Sequence, residues 1–229
     1  MKFLKILSLV IFTAFISCIL NACGSGKADE LKAKLTFTSG VVESQNAASP
    51  EWKPVSLNAE LAMSDTVKTG PKSNAKIDFS DGVKIFIEEN TSVKLKEIKK
   101  PVEKGTLDII VEIISGAIFF DVTKRENSKF EMETSTAVAG VKGTRGIVSF
   151  KDNKTKVLVT EGVVEVSAKK DAADKVTLNP DDAVEFGDIT KIPEKSKIDF
   201  SKEKFADTPL LKTLSADDLV KKIDVIRSR

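Results

Sequence analysis

The feature that most constrains the fold is a period-two alternation of apolar and polar residues, which extends from Leu35 to Gly187. Gly, Asn, Asp or Pro interrupts it about every eight to twelve residues, which is the spacing of turns between short strands. Successive side chains of a strand point to opposite faces, so each run can bury one face and expose the other. The pattern therefore predicts an all-β domain over residues 35–187.

Three hairpins are predicted within this domain. Their strand pairs are 75–79 with 83–87, 107–114 with 117–122, and 155–160 with 163–167. The first is the clearest, because Asp81-Gly82 offers the positive-φ pair that a type I′ turn requires. The second would turn at Ser115-Gly116, and its density of Ile and Phe predicts strands that are buried on both sides. The third would turn at Glu161-Gly162, with Val157, Val159, Val164 and Val166 facing inward.

The first 22 residues are predicted to be a secretory signal peptide. Lys2 and Lys5 supply a positive flank to the apolar stretch 6–20. That stretch is too short and too often interrupted by Ser and Thr to span a bilayer comfortably. It is therefore a processing signal and not a mature membrane helix.

The residues that follow this stretch predict a lipid anchor. Leu20-Asn21-Ala22-Cys23, followed by Gly24, resembles the bacterial lipobox, in which the cysteine is lipidated and becomes the first residue. We expect lipidation of Cys23, with residues 23–34 as a polar tether. Cys18 is a rival anchor, and plain signal cleavage that leaves a free cysteine is the alternative.

Charge and residue types exclude several classes of function. The chain has 36 Lys and Arg against 34 Asp and Glu, and loss of residues 1–22 removes two lysines and no acid, which leaves 34 against 34. A neutral chain lacks the basic surface that binds nucleic acid. The sequence has no His and only two Cys, so it offers no Ser-His or Cys-His nucleophile pair and no ordinary zinc site. We expect no cofactor, no metal and no enzymatic activity.

Adjacent acidic residues are the remaining candidates for catalysis. The pairs are Glu88-Glu89, Asp181-Asp182 and Asp217-Asp218. Neighbouring strand residues point to opposite faces, so we interpret these pairs as structural. A carboxylate-dependent hydrolase acting on envelope glycans is the enzymatic alternative, and it would need two carboxyl groups that converge in a cleft.

Residues 188–229 are predicted to form a charged linker and a short amphipathic α-helix. Ser215 suits a helix N-cap, and Asp217-Asp218 suit the first helical turn. Leu219, Ile223 and Ile226 recur at helical spacing and form a narrow apolar stripe. Because short isolated helices are marginal in water, this stripe is expected to pack on the β domain or on a partner.

A series of turn motifs runs through the β region. They are Ser39-Gly40-Val41-Val42, Trp52-Lys53-Pro54-Val55, residues 65–70 with 73–75, Phe79-Ser80-Asp81-Gly82, Ser115-Gly116-Ala117, and residues 130–134. The most specific run is Ala139-Gly140-Val141-Lys142-Gly143-Thr144-Arg145-Gly146, and residues 161–166 follow it. In order and spacing, these motifs resemble the FecR domain, an extracytoplasmic all-β module of iron-signalling regulators and other envelope proteins.

The resemblance implies a twisted stack of short hairpins, either solenoid-like or sandwich-like. Gly140, Gly143, Thr144, Arg145 and Gly146 are interpreted as residues of a fold-determining turn and not as ligands. The glycines are expected to supply positive φ or close backbone approach, and Thr144 to hydrogen-bond a neighbouring backbone group. The run lacks the Gly-Lys-Ser/Thr ending of a phosphate-binding loop.

The leading functional hypothesis is a lipid-anchored protein of the bacterial cell envelope whose FecR-like domain binds or scaffolds another protein. Binding would use strand addition at an edge of the solenoid or a loop face. Gly24 after the anchor favours the outer membrane over the inner one by the enterobacterial sorting rule. The alternative is a surface-exposed structural lipoprotein that contacts host or matrix molecules.

Overall fold

The computed structural model describes residues 33–80, 82–99, 107–123, 128–187, 189 and 193–197. Every element in these ranges is a strand or a turn, so the predicted all-β class is confirmed. The strands are β1 (Ala33–Ser39), β2 (Val42–Gln45), β3 (Lys53–Pro54), β4 (Glu60–Leu61), β5 (Thr66–Thr69), β6 (Asn74–Phe79), β7 (Val83–Ile87), β8 (Ser92–Lys99), β9 (Leu107–Val122), β10 (Ser128–Glu133), β11 (Ala137–Lys151), β12 (Lys154–Ala168), β13 (Asp171–Leu178), β14 (Asp182–Phe186) and β15 (Ser196–Lys197). Within the described ranges, no helix has the length and hydropathy to cross a membrane.

All these strands belong to one mixed sheet, which is organised as two layers that share three long strands. Layer 1 has the order β3-β2-β5-β8-β9-β10-β11-β12-β13. Layer 2 has the order β4-β1-β6-β7-β9-β11-β12-β14-β15. Neighbours pair antiparallel except β9 and β10, which are parallel. The shared strands are therefore β9, β11 and β12.

Each shared strand passes from one layer to the other at a glycine with positive φ. These are Gly116 at +93°, Gly143 at +63° and Gly162 at +82°. In β9, residues before Gly116 pair with β8 and β10, whereas those from Gly116 onward pair with β7 and β11. A single left-handed residue bends a strand and changes its register without reversing it.

Two of the three predicted hairpins are therefore wrong. The chain continues as one strand through Ser115-Gly116 and through Glu161-Gly162, and in each pair a single positive-φ glycine bends the strand without reversing it. The first hairpin is confirmed, since β6 and β7 pair with Ile77 opposite Ile85. The Gly82 amide closes its turn on the Phe79 carbonyl at 3.1 Å, and Asp81 lies outside the described residues.

The two layers pack face to face around a single hydrophobic core. Ile77 and Ile85 of layer 2 and Val93 and Val111 of layer 1 are fully buried, and all four belong to one apolar cluster. Two apolar sheet faces that cover one another form a sandwich. The fold is thus sandwich-like, and continuous strands of 15 to 16 residues replace the predicted stack of short hairpins.

The sheet extends beyond residues 35 and 187, into the predicted tether and the predicted linker. β1 begins at Ala33, so the last two residues of the predicted tether are paired with β4 and β6. Beyond β14, the two residues of β15 extend layer 2. The predicted signal peptide, Cys23 and the predicted C-terminal helix lie outside the described residues.

Candidate interaction face

Residues 143–146 join the two shared strands β11 and β12 through hydrogen bonds and a close backbone contact. The Thr144 hydroxyl donates to the Val163 carbonyl at 2.9 Å and accepts from the Val163 amide at 3.2 Å. An ideal Cβ on Gly162 would lie 2.5 Å from the Gly143 carbonyl oxygen, so only glycine fits there. This junction moves the register of β11 and brings Arg145 to the outer face of layer 2.

The other two glycines of the motif differ from one another. An ideal Cβ on Gly146 would lie 2.2 Å from the Leu158 carbonyl oxygen and 2.7 Å from the Phe120 ring, which is the expected close approach. Gly140 has neither a positive φ nor a close neighbour, since its Cβ would meet only the Glu165 carbonyl oxygen at 3.8 Å. The expectation for Gly140 is therefore corrected.

Arg145 stands in a row of alternating charges that crosses the outer face of layer 2. Its Nε lies 3.3 Å from Asp121 Oδ1, and its Nη1 lies 2.8 Å from Glu161 Oε2. In register across six strands, the charged row is Lys34, Asp78, Lys84, Asp121, Arg145 and Glu161. Opposite charges in directly paired positions stabilise a chosen register modestly.

A row of apolar side chains runs beside the charged row on the same face. Across five neighbouring strands, the apolar row is Phe86, Phe119, Ile147, Leu158 and Ala183. The ring centroids of its first two members lie 5.7 Å apart, and the Lys76 ammonium lies 5.6 Å from the Phe86 ring. Together with the cross-strand register, the ring contact gives an apolar strip across the sheet.

The apolar row points away from the core. Its strand neighbours Phe120 and Val148 belong to the core cluster, so Phe119 and Ile147 must point to the opposite face. Nevertheless Leu158 is 0%, Ile147 1%, Ala183 2% and Phe119 6% exposed. An outer sheet face with this degree of burial is unlike an ordinary solvated surface.

The outer face of layer 1 provides the contrast within the same sheet. It carries Lys94 opposite Glu112 and a Glu133 carboxylate that is held by Lys96 at 2.7 Å and Lys169 at 2.6 Å. Its apolar residue Ile114 is 46% exposed. Layer 1 thus has the charged exterior expected of a solvated sheet, and layer 2 does not.

Glu88 borders the apolar row on the side away from the charged row. Its amide donates to the Ala117 carbonyl at 3.1 Å, and its carboxylate accepts from the Asn74 amide group at 3.3 Å. Burial, and secondly the charge of Glu89, raise the pKa of Glu88 to about 7. The group is therefore a carboxyl that loses its proton close to neutrality.

Three acidic side chains of the pairs singled out in the sequence, Glu88, Glu89 and Asp182, have structural partners. Glu89 accepts from the Lys72 amide at 2.5 Å, and Asp182 pairs with Lys197 at 2.7 Å and Lys195 at 3.3 Å. The pair at 217–218 lies outside the described residues. Within the described ranges, no three His, Cys, Asp or Glu side chains are grouped as metal ligands would be.

The apolar row was not predicted from the sequence, although the burial of part of it was. Residues 107–114 and 117–122 were predicted to be buried on both sides. Residues 117–122 are, whereas 108–114 alternate and Ile114 is 46% exposed, so that half of the prediction is wrong. The same signal recurs as adjacent apolar pairs at 147–148, 157–158 and 183–184. What the sequence does not contain is the strand register that places these pairs side by side.

Comparisons with known proteins bear on the central part of the chain. Two crystal structures of a proposed anti-sigma factor from Parabacteroides distasonis ATCC 8503 are similar, with TM-scores of 0.47 and 0.46 and sequence identities of 19% and 18%. The similarity covers 58% of this chain and 59% of theirs, so this chain spans less than two thirds of their length. None of the curated proteins matches the chain. Residues 65–165 match the family described as FecR protein, and the resemblance predicted from the turn motifs is confirmed for that segment.

Proposed function

We propose that this chain is a lipid-anchored envelope protein whose β domain is a non-catalytic, protein-binding module. The observation that carries the proposal is the apolar row on the outer face of layer 2. The match of residues 65–165 to the FecR family supports an interaction module and not an enzyme. The absence of His from the sequence supports the same choice.

The chemistry of this face defines what it binds. A central apolar strip of Phe119, Ile147 and Leu158 is bordered by the charged row, which includes Asp121 and Arg145. An apolar centre with a polar rim is the usual anatomy of a protein–protein contact. A flat sheet face of this kind fits the apolar side of an amphipathic helix, which differs from the two modes expected from the sequence, strand addition at an edge or binding through a loop face.

Substitution of Ile147 by Asp is expected to abolish capture of an envelope partner by the acylated, full-length protein. The substitution places a charge in the middle of the apolar strip, between Phe119 and Leu158 on the two paired strands. Ile114→Asp makes the same change on the outer face of layer 1 and is expected to leave capture intact. Cross-linking in cells, followed by affinity purification, measures both.

Thermal unfolding of both variants separates a binding defect from a folding defect. If a folded Ile147→Asp protein retains its partner, or if Ile114→Asp loses it equally, the apolar row is not the binding surface.

Anchoring is proposed through a thioether-linked lipid on Cys23, in the outer membrane. Acyl chains contribute roughly 0.8 kcal/mol per buried methylene, so two or more chains hold a protein to a bilayer stably. Wild type is therefore expected in the membrane fraction and Cys23→Ala in the soluble fraction. Cys18→Ala tests the rival anchor and is expected to behave as wild type. Release of Cys18→Ala, or retention of Cys23→Ala, would reject this assignment, and a density gradient separates the two membranes.

A further inference from the structure

The burial of the apolar row requires a cover that the described strands do not provide. All fifteen strands lie within the two layers, and the inner faces of those layers are already in contact. A side chain on an outer sheet face would remain substantially exposed without a further layer. Leu158 at 0% and Ile147 at 1% exposure thus point to a segment of chain that lies over layer 2.

The point where the described chain ends is next to this row. β15 pairs with β14 so that Ser196 lies opposite Ala183, the last member of the apolar row. Ion pairs fix β15 against β14 at this point. The Asp182 carboxylate pairs with Lys197 and Lys195, and these contacts hold its pKa well below the usual range. Thirty-two residues, 198–229, follow from this position.

The length of the following segment suits the row. From Ser196 to Phe86 the row crosses five strand spacings, and at about 4.8 Å each this is about 24 Å. A helix of fifteen residues, such as the one predicted over 215–229, has a length of about 22 Å at about 1.5 Å per residue. Residues 198–214 are long enough to connect β15 to either end of such a helix.

We propose that residues 198–229 cover the apolar row in cis, with the stripe of Leu219, Ile223 and Ile226 seated on Phe119, Ile147 and Leu158. This proposal rests on the proposed function, because it concerns the same face and names the segment of this chain that occupies it. A partner that binds the row must present a similar apolar helix and displace the C-terminal segment. A tethered competitor is present at an effective concentration of about millimolar, so it lowers the apparent affinity of any such partner.

A photo-cross-linking amino acid at position 147 of the full chain tests the contact directly. Mass spectrometry is expected to map its adduct to residues 215–229 of the same molecule. The same amino acid at position 114, on the charged outer face of layer 1, is the matched control and is expected to give no adduct there. An adduct with residues 1–32, with a second copy, or with no part of residues 198–229 overturns the proposal.

A second variant leaves the sheet untouched. Ile223→Asp is expected to lower the yield of the position 147 adduct about tenfold, which corresponds to a loss of about 1.4 kcal/mol of contact free energy. It is also expected to increase partner capture, whereas an unchanged adduct yield contradicts docking in cis. The two proposals fail separately: loss of the partner in Ile147→Asp with no adduct to 215–229 rejects only the cis contact. An adduct to 215–229 with the partner retained in Ile147→Asp rejects only the binding function.

Discussion

Gly146→Ala is expected to destabilise the β domain by about 3 kcal/mol, near the upper end of the cost of overpacking a core. An added Cβ would lie 2.2 Å from the Leu158 carbonyl oxygen and 2.7 Å from the Phe120 ring. The carbonyl belongs to the paired strand β12 and the ring is fully buried, so neither can withdraw without opening the sheet. Urea unfolding followed by circular dichroism measures the change.

Gly140→Ala is the matched control on the same strand. Its Cβ would have one ordinary contact, with the Glu165 carbonyl oxygen at 3.8 Å, and its φ is not positive. Its free energy of unfolding should therefore stay within about 0.5 kcal/mol of wild type. Equal unfolding midpoints for the two variants would show that the close approach at Gly146 does not constrain the sheet.

The apolar alternation predicted burial correctly even where it predicted the wrong connection. Val157, Val159, Val164 and Val166 are all fully buried, as expected for a hairpin, yet they lie on one continuous strand. Alternation of apolar and polar residues predicts only which side chains are buried. In β12 these four valines are at odd positions before Gly162 and at even positions after it, and a bulge produces this shift as well as a turn does. Burial was therefore predictable from local sequence, whereas the direction of the chain was not.

The candidate face depends on pairings between distant parts of the chain. Arg145 was identified as a motif residue, but its contact with Asp121 exists because β11 pairs with the second half of β9. That half is available only because the chain does not turn at Gly116. A single sequence encodes such register through packing of the whole domain, so local patterns predict the strands without predicting the rows that cross them.

The pKa of Glu88 also depends on strand pairing that local sequence patterns do not predict. In the sequence, Glu88-Glu89 follows an alternating strand and precedes Asn90, which favours a solvated turn. In the structure, Glu89 is at the surface, but Glu88 is buried against Ala117, a residue of β9. Its burial follows from the pairing of β7 with β9, which no local pattern predicts.

Glu88→Gln is expected to remove a loss of stability that wild type shows as the pH rises from about 5 to 8. The folded pKa of Glu88 is about 7, against 4.5 for the ordinary group. Below pH 4.5 the group is protonated in both states; as the pH rises from there to about 7 it ionises first in the unfolded chain, which favours unfolding. A shift of this size corresponds to roughly 3 kcal/mol at about 1.4 kcal/mol per pH unit. Glutamine resembles the protonated carboxyl and does not titrate.

The measurement is the free energy of unfolding in urea at pH 5 and pH 8. Glu88→Gln should be within about 1 kcal/mol of wild type at pH 5 and exceed it by about 3 kcal/mol at pH 8. Glu165→Gln, which alters an exposed carboxylate paired with Lys175, is the control and should leave the pH dependence of wild type unchanged. A Glu88→Gln protein that differs from wild type equally at both pH values would mean that Glu88 is ionised in the folded domain. The apolar row would then have a permanent negative charge at its border, because Glu88 packs against Ala117 beside Phe119.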